Sequence, residues 1–335
     1  MKNNTSTIPK YDLIIIDECE SILKHFDSST FNGTSRDIFN YMEAIIKKSK
    51  KVIFLDGDMS NRTYALVNSL GSSINIVNDI KINSKILKII NDENYYISKI
   101  YEDLDNNKNI VIVSMSANEC VKYNLILKEK YPTKKILIYY GQSEDKEDLK
   151  DVLLHWKNAD IIIYSPTIES GVNFDLVYFY KIYAIIVTGS TSQRSFLQML
   201  SRVRKIENNE VLCLTSLNLN YSKYYQFTEV QDSLTRIEAI HLQNIYKEVD
   251  GDLVRILKLD NYDINYIYNK VEKLNQCSYG VLTYLQHLSK LKGYEFIMYE
   301  PEKINLMLPI FDSHSEVLSV SDISDKDYNN LLDKQ

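Results

Sequence analysis

Seven short apolar runs punctuate the chain, at 13–16, 52–55, 110–113, 136–139, 161–164, 182–187 and 211–214. Each is four to six residues long and rich in Ile and Val, the pattern of strands covered on both faces. The intervening segments carry helical spacing: Ile38, Tyr41, Met42, Ile45 and Ile46 form one apolar stripe, and Val121, Leu125 and Leu127 part of another. Strand–helix alternation of this kind predicts an α/β fold with a mostly parallel sheet. A polar stretch at 91–94 separates two sets of strands and suggests a boundary near residue 90. Beyond about residue 219 the strand pattern fades, and 221–248 and 263–291 read as long helices. The expected organisation is a short α/β unit (1–90), a complete one (91–218) and a mainly helical region (219–335), its last dozen residues polar and frayed.

Composition narrows the picture. With 335 residues, 44% hydrophobic and 25% charged, the chain has room for two cores. Nine glycines and five prolines exclude collagen-like and linker-like sequences and leave little for a glycine-dependent phosphate loop. The net charge of −6 does not favour nucleic acid in bulk, but it is unevenly placed. Residues 1–218 balance 27 cations against 27 acids, while residues 219–335 hold 12 against 18. Four scattered cysteines and five histidines give neither a zinc site nor a disulfide framework. A polar start, and no apolar run near the ~18 residues of a membrane span, point to an intracellular soluble protein without membrane contact.

Four segments carry candidate chemistry. Tyr11-Asp12-Leu13-Ile14-Ile15-Ile16-Asp17-Glu18-Cys19-Glu20 is an apolar strand ending in adjacent carboxylates, at the sheet edge where open α/β folds place ligands. Asp17 there can hold a Mg2+-bound water and Glu18 can polarise an attacking one; the plainer reading is a pair of solvated acids favoured by a helix dipole. The segment from Val52 to Thr63 also ends in carboxylates and hydroxyls, so Asp56 and Asp58 either converge on an ion or belong to a coupling loop or polar turn. Ile161 to Phe174 runs from a strand into a polar loop containing Gly171, where a positive φ or a close ligand approach would use the glycine. Thr191 to Ile206 reads as a helix with Phe196, Leu200 and Val203 on one face and Arg194, Gln198, Ser201, Arg202 and Lys205 on the other. That cationic face suits phosphate oxygens, or is merely solvated.

In this order the four segments resemble motifs II, III, V and VI of superfamily 2 helicases, and residues 110–116, with Ser114, resemble motif IV. The pattern is most similar to the herpesvirus-type replication origin-binding proteins of large DNA viruses, over residues 11–206. The resemblance implies two RecA-like domains, the first truncated, with ATP and Mg2+ between them. It assigns Asp17 to the metal, Glu18 to the hydrolytic water, and Ser60 and Thr63 to coupling. Ser114, Thr167 and Gly171 would contact the DNA backbone or relay nucleotide state, Gly171 also lying beside the nucleotide. Gln198, Arg202 and Arg204 would face the phosphates, with Arg202 or Arg204 as the arginine finger. Ser201 stands where the family usually has glycine.

One departure is large: no G-x-x-x-x-G-K-[ST] occurs anywhere in the chain, so the amide cradle and lysine for the β/γ-phosphates are missing. The expectation is an origin-binding-type helicase fragment for DNA replication, needing a separate Walker A segment and binding single-stranded or origin DNA. In a viral setting it would work in host cytoplasm or nucleus. The alternative is a catalytically inactive nucleic-acid-binding or regulatory module; a metal-dependent hydrolase built on Asp17, Glu18, Asp56 and Asp58 is a third reading.

Overall fold

The computed structural model describes residues 8–31, 33–77, 85–141, 147–168, 171–219, 223–233, 246–255, 259–277 and 280–302. The small N-terminal unit begins with β1 (Ile14–Ile16), α1 (Cys19–His25), α2 (Ser35–Lys48), β2 (Val52–Phe54) and α3 (Asn61–Ser69). The strands β1 and β2 pair in parallel, Ile14 opposite Val52 and Ile16 opposite Phe54. Phe39 of α2, Leu23 of α1, Phe26 at the C-terminal cap of α1 and Leu66 of α3 make the core beneath them.

The larger unit is one seven-stranded sheet. Its strands are β3 (Ile86–Ile90), β4 (Ile110–Ser114), β5 (Ile136–Tyr139), β6 (Ile161–Tyr164), β7 (Lys181–Ile186), β8 (Glu210–Thr215) and β11 (Glu295–Met298). They lie in the order β11-β3-β8-β7-β4-β6-β5, and every pairing is parallel. Helices α4 (Glu93–Asp105) and α5 (Ala117–Lys130) cover one face through Tyr96, Ile100, Leu104, Tyr123 and Leu127. The opposite face is covered by α6 (Val152–Trp156), α7 (Gln193–Leu200) and α10 (Val281–Leu291) through Trp156, Phe196, Leu200, Leu282 and Leu285. Strands buried on both faces are what the continuous Ile/Val runs require. Side-chain caps fix the helix entries: Asp92 accepts from Tyr95 N–H, and Ser192 from Ser195 N–H.

All seven expected apolar runs carry strands. The boundary at residue 90 does not fall between the sheets, because Ile86–Ile90 pairs with β8 and not with the small unit. Among its described residues the last third carries strands beside its helices. It contains α8 (Phe227–Ser233), a hairpin of β9 (Tyr246–Val249) and β10 (Asp252–Arg255), α9 (Asn261–Cys277), then α10 and β11. The helix expected over 221–248 is thus replaced at its end by β9, and the one over 263–291 is split near Gly280. A Cβ there would lie 2.5 Å from the Lys223 carbonyl oxygen, so only glycine lets the two segments cross this closely. The frayed end expected beyond residue 321 lies outside the described residues.

Nor is that third a detached acidic appendage. Tyr262 of α9 completes the small unit's core. Its acids neutralise that unit's cations: Asp260 lies 2.6 Å from Arg36, Asp263 also pairs with Arg36, and Glu272 lies 3.1 Å from Lys24. Meanwhile α10 and β11 belong to the large unit, so this one stretch of chain holds both. Among the described residues no helix is long and apolar enough to cross a membrane.

Candidate functional site

The strand β1 delivers Asp17 and Glu18 to its C-terminal end. Asp17 is exposed, and its Oδ1 accepts the Glu18 N–H at 3.1 Å. Glu18 sits at φ +51°, in the left-handed region that costs a non-glycine residue about 1–2 kcal/mol. That kink turns the chain inward, so the next two residues of α1, Cys19 and Glu20, are buried. Burial pushes the Cys19 thiol up to about 11, leaving it a neutral packing group and not a nucleophile.

Glu20 is the hub of the site, although nothing in its sequence neighbourhood sets it apart from the acids beside it. Its carboxylate accepts from Ser60 N–H and Oγ, each at 2.8 Å, from Thr63 Oγ1 at 2.5 Å, and from Arg62 Nη2 at 2.8 Å. Burial alone would raise its pKa; the Arg62 guanidinium and these hydroxyl and amide donors outweigh burial and hold the carboxyl below its ordinary value. Arg62 also reaches Asn269 and lies 3.8 Å from Glu272, both on α9. Ser60 meanwhile caps α3 through the Arg62 N–H. The two hydroxyl residues singled out for coupling, Ser60 and Thr63, therefore converge on one carboxylate two and three residues beyond Glu18 and Asp17.

Asp56 and Asp58 do not converge on a common point for an ion. Asp56 accepts the amides of Glu20 at 2.9 Å and Asp58 at 2.8 Å. Asp58 faces two cations instead, Arg194 at 2.6 Å and Lys292 at 3.5 Å. Among the described residues, no group of three or more His, Cys, Asp or Glu side chains is arranged to hold a metal. That does not exclude Mg2+ at Asp17, because this ion is commonly held by one or two carboxylates plus nucleotide phosphates.

The helix expected over 191–206 stops at Leu200. Its polar side is not solvated: Gln193 and Ser195 are buried, and Arg194 is turned onto Asp58. Ser201 keeps helical dihedrals and the Arg202 N–H closes the last turn on the Met199 carbonyl at 3.0 Å; beyond it the chain leaves the helix, with Val203 bridging to Phe174 and Ile206 to Phe179. Arg202, Arg204 and Lys205 consequently do not share a helix face with Arg194. Arg202 reaches the Val172 carbonyl at 3.4 Å and its buried Nε has no hydrogen-bond partner among the described residues; Arg204 pairs at 3.6 Å with Asp175. Gln198 stays on α7, half-buried.

The remaining candidates lie on the large unit. Ser114 ends β4, its Oγ accepting the Ser116 N–H at 3.0 Å. The Thr167 hydroxyl lies 3.3 Å from Ser165 Oγ. Gly171 adopts φ +77°, and a Cβ there would touch nothing within 4 Å, so its freedom serves backbone conformation and not tight packing.

The profile of the family described as origin of replication binding protein matches residues 57–225. An Acanthamoeba polyphaga mimivirus protein, provisionally named a replication origin-binding protein, is 32% identical over 356 residues, covering 100% of this chain and 44% of its own. The chain belongs to the origin of replication binding protein family. A further family relative, the replication origin-binding protein of human herpesvirus 7, is 24% identical over 60% of this chain and 26% of that protein. The chain thus spans less than half the length of these relatives. Among solved structures, S. cerevisiae Dbp5 bound to RNA and ADP BeF3 is similar at a TM-score of 0.42 and 12% identity, covering 78% of this chain and 63% of that one.

Proposed function

We propose that this chain is the rear part of an origin-binding-type superfamily 2 DNA helicase acting in viral DNA replication. In this reading the small unit is a truncated RecA-like domain ending before Lys85, and the seven-stranded sheet is the second, extended by β11. The observation that carries it is a continuous polar path between the two. It runs from the Asp17–Glu18 end of β1 to Glu20, through Ser60 and Thr63 into the loop bearing Asp58, and from Asp58 to Arg194 at the start of α7. A motor needs such a link between the acids beside the nucleotide and the second domain.

Asp17 would hold Mg2+ together with nucleotide phosphates, and the ion would neutralise charge developing there. The phosphate cradle must come from elsewhere, and the small sheet is built to receive it. Leu13, Ile15, Ile53 and Leu55 expose an apolar face that parallel strands ordinarily cover. An additional α/β segment carrying the Walker A loop would cover it. The expected result is negligible ATP hydrolysis by this chain alone and DNA-stimulated hydrolysis once a Walker A segment is supplied, lost on Glu18→Gln. Robust hydrolysis by the isolated chain would overturn the split-site part of the proposal.

A second reading, a nucleic-acid-binding or regulatory module without catalysis, is favoured by Arg202 and Arg204, whose contacts at Val172 and Asp175 lie within the large unit. DNA binding that ignores both ATP and changes at Asp17 or Glu18 would support it.

A further inference from the structure

A cavity of about 400 Å3 lies beside the polar path, between the loop 58–62, α9, α10 and the segment 224–227. Its lining is strongly aromatic. Tyr224 stacks on His287 with ring centroids 5.5 Å apart and planes at 28°, and lies 5.2 Å from Tyr284. Phe227 and Tyr268, 4.7 Å apart, line it as well. Tyr225 and His287 are exposed, so the cavity opens to solvent. Burial pushes the Tyr284 phenol up to about 12, keeping it a neutral donor.

The charges around the cavity are spent on one another. Arg194 is on Asp58, Arg62 on Glu20, and Glu272 on Lys24 and Arg62. Committed cations of this kind do not seat a phosphate, whereas aromatic faces edged by hydroxyl and imidazole groups suit a flat, uncharged, heteroatom-rich ring. The volume is enough for one nucleoside.

We propose that this cavity takes one base of single-stranded DNA, stacked against the Tyr224–His287 pair. The inference rests on the DNA-binding part of the function proposed above. An occupant would touch the loop whose Ser60 reaches Glu20, so a captured base would be sensed along the path toward Asp17. Stacking on aromatic side chains is sequence-tolerant, since every base offers a π-face.

The test is fluorescence anisotropy of the full chain with a labelled dT20 strand and with an abasic sugar–phosphate strand of equal length. Tyr224→Ala and His287→Ala should each weaken dT20 binding about tenfold and leave the abasic strand unaffected. Tyr224→Phe, which keeps the ring, should retain wild-type affinity; circular dichroism checks that each variant folds. Equal loss on both strands, or no loss on either, overturns the base pocket while leaving DNA binding intact. Absence of dT20 binding by the wild-type chain overturns the pocket together with the DNA-binding reading. Binding of free dTMP that is lost in His287→Ala, without any base dependence of strand affinity, reassigns the cavity to a mononucleotide and likewise overturns the proposal.

Discussion

Arg194, the second residue of α7, places its guanidinium 2.6 Å from the carboxylate of Asp58, 136 positions earlier in the chain, and also donates to the Asp58 carbonyl. Both side chains are largely buried. A single residue pair thereby ties the loop after β2 to the helix that opens the stretch bearing Arg194, Arg202 and Arg204. Lys292, just past α10, adds a second cation on the same carboxylate at 3.5 Å. The junction between the two units is electrostatic at this point, in contrast to the apolar packing within each.

The Asp58–Arg194 pair should show strong coupling. Asp58→Asn and Arg194→Met are each expected to destabilise the protein, and the double variant less than their sum, with an interaction energy of about 1–3 kcal/mol. A double-mutant cycle on urea unfolding measures it. Strict additivity would mean that the pair is only a surface contact.

Glu20→Ala leaves Arg62 buried without its carboxylate and strands the hydroxyls of Ser60 and Thr63. Breaking a buried pair from one side typically costs about 3–5 kcal/mol, and a loss in that range is expected in denaturant melts. Replacing Asp12, an exposed acid on the same segment that pairs with Lys50 at the surface, should change stability by less than about 0.5 kcal/mol.

Acid should weaken the fold through the same group. Burial opposes ionisation of Glu20 and of Glu272, but Arg62 and Lys24 with their hydrogen bonds hold both carboxyls below the ordinary 4.5. The unfolded chain therefore binds protons first as pH falls, and the stabilisation present above about pH 4.5 is lost below it. Urea midpoints measured from pH 7 to 3 should fall in that window. Glu20→Gln should flatten the fall while lowering the plateau at neutral pH.

The outer face of β1 and β2 should tolerate charge. Ile15 and Ile53 are 58% and 42% exposed, so Ile15→Lys or Ile53→Lys should alter stability by no more than about 0.5 kcal/mol while improving solubility. Association with a Walker A segment should be lost in the same variants. Phe39→Ala, by contrast, opens the buried core of that unit and should cost about 3–5 kcal/mol.

The large sheet was legible wherever a strand is apolar on both faces, as in Ile110–Ser114 and Ile161–Tyr164. The strand Ile86–Ile90 was hidden by Lys88, which interrupts the run. Its charged end escapes to Glu210 at 3.6 Å and lies over the Tyr299 ring, so the cation sits beside the sheet and not in its core. The edge strand Glu295–Met298 begins on a charged residue and is flanked by Tyr294, Tyr299 and Glu300, without the Ile/Val run that marks the others. At the site, the Asp17–Glu18 pair stood out because it ends an apolar run. Glu20 did not, because its importance lies in partners some forty positions away. The spacing of Ser60, Arg62 and Thr63 along one helical turn was the signal available, since such a cluster of donors calls for a buried acceptor. Arg202 and Arg204 were read on a helix that their own residue types permit; the bridges of Val203 and Ile206 to Phe174 and Phe179 pull that stretch straight instead.

The placement of Glu295–Met298 has a consequence for how the molecule is made. Ile86–Ile90 is made well before its two neighbours in the sheet, residues 210–214 and 295–298. Until those segments are made it presents an unpaired edge able to recruit strands from other chains. Order of emergence and order of pairing are therefore opposed. The sheet is complete only after residue 298 has emerged, so translation stopped soon after Lys205 would release a protein with Ile86–Ile90 left as its edge strand.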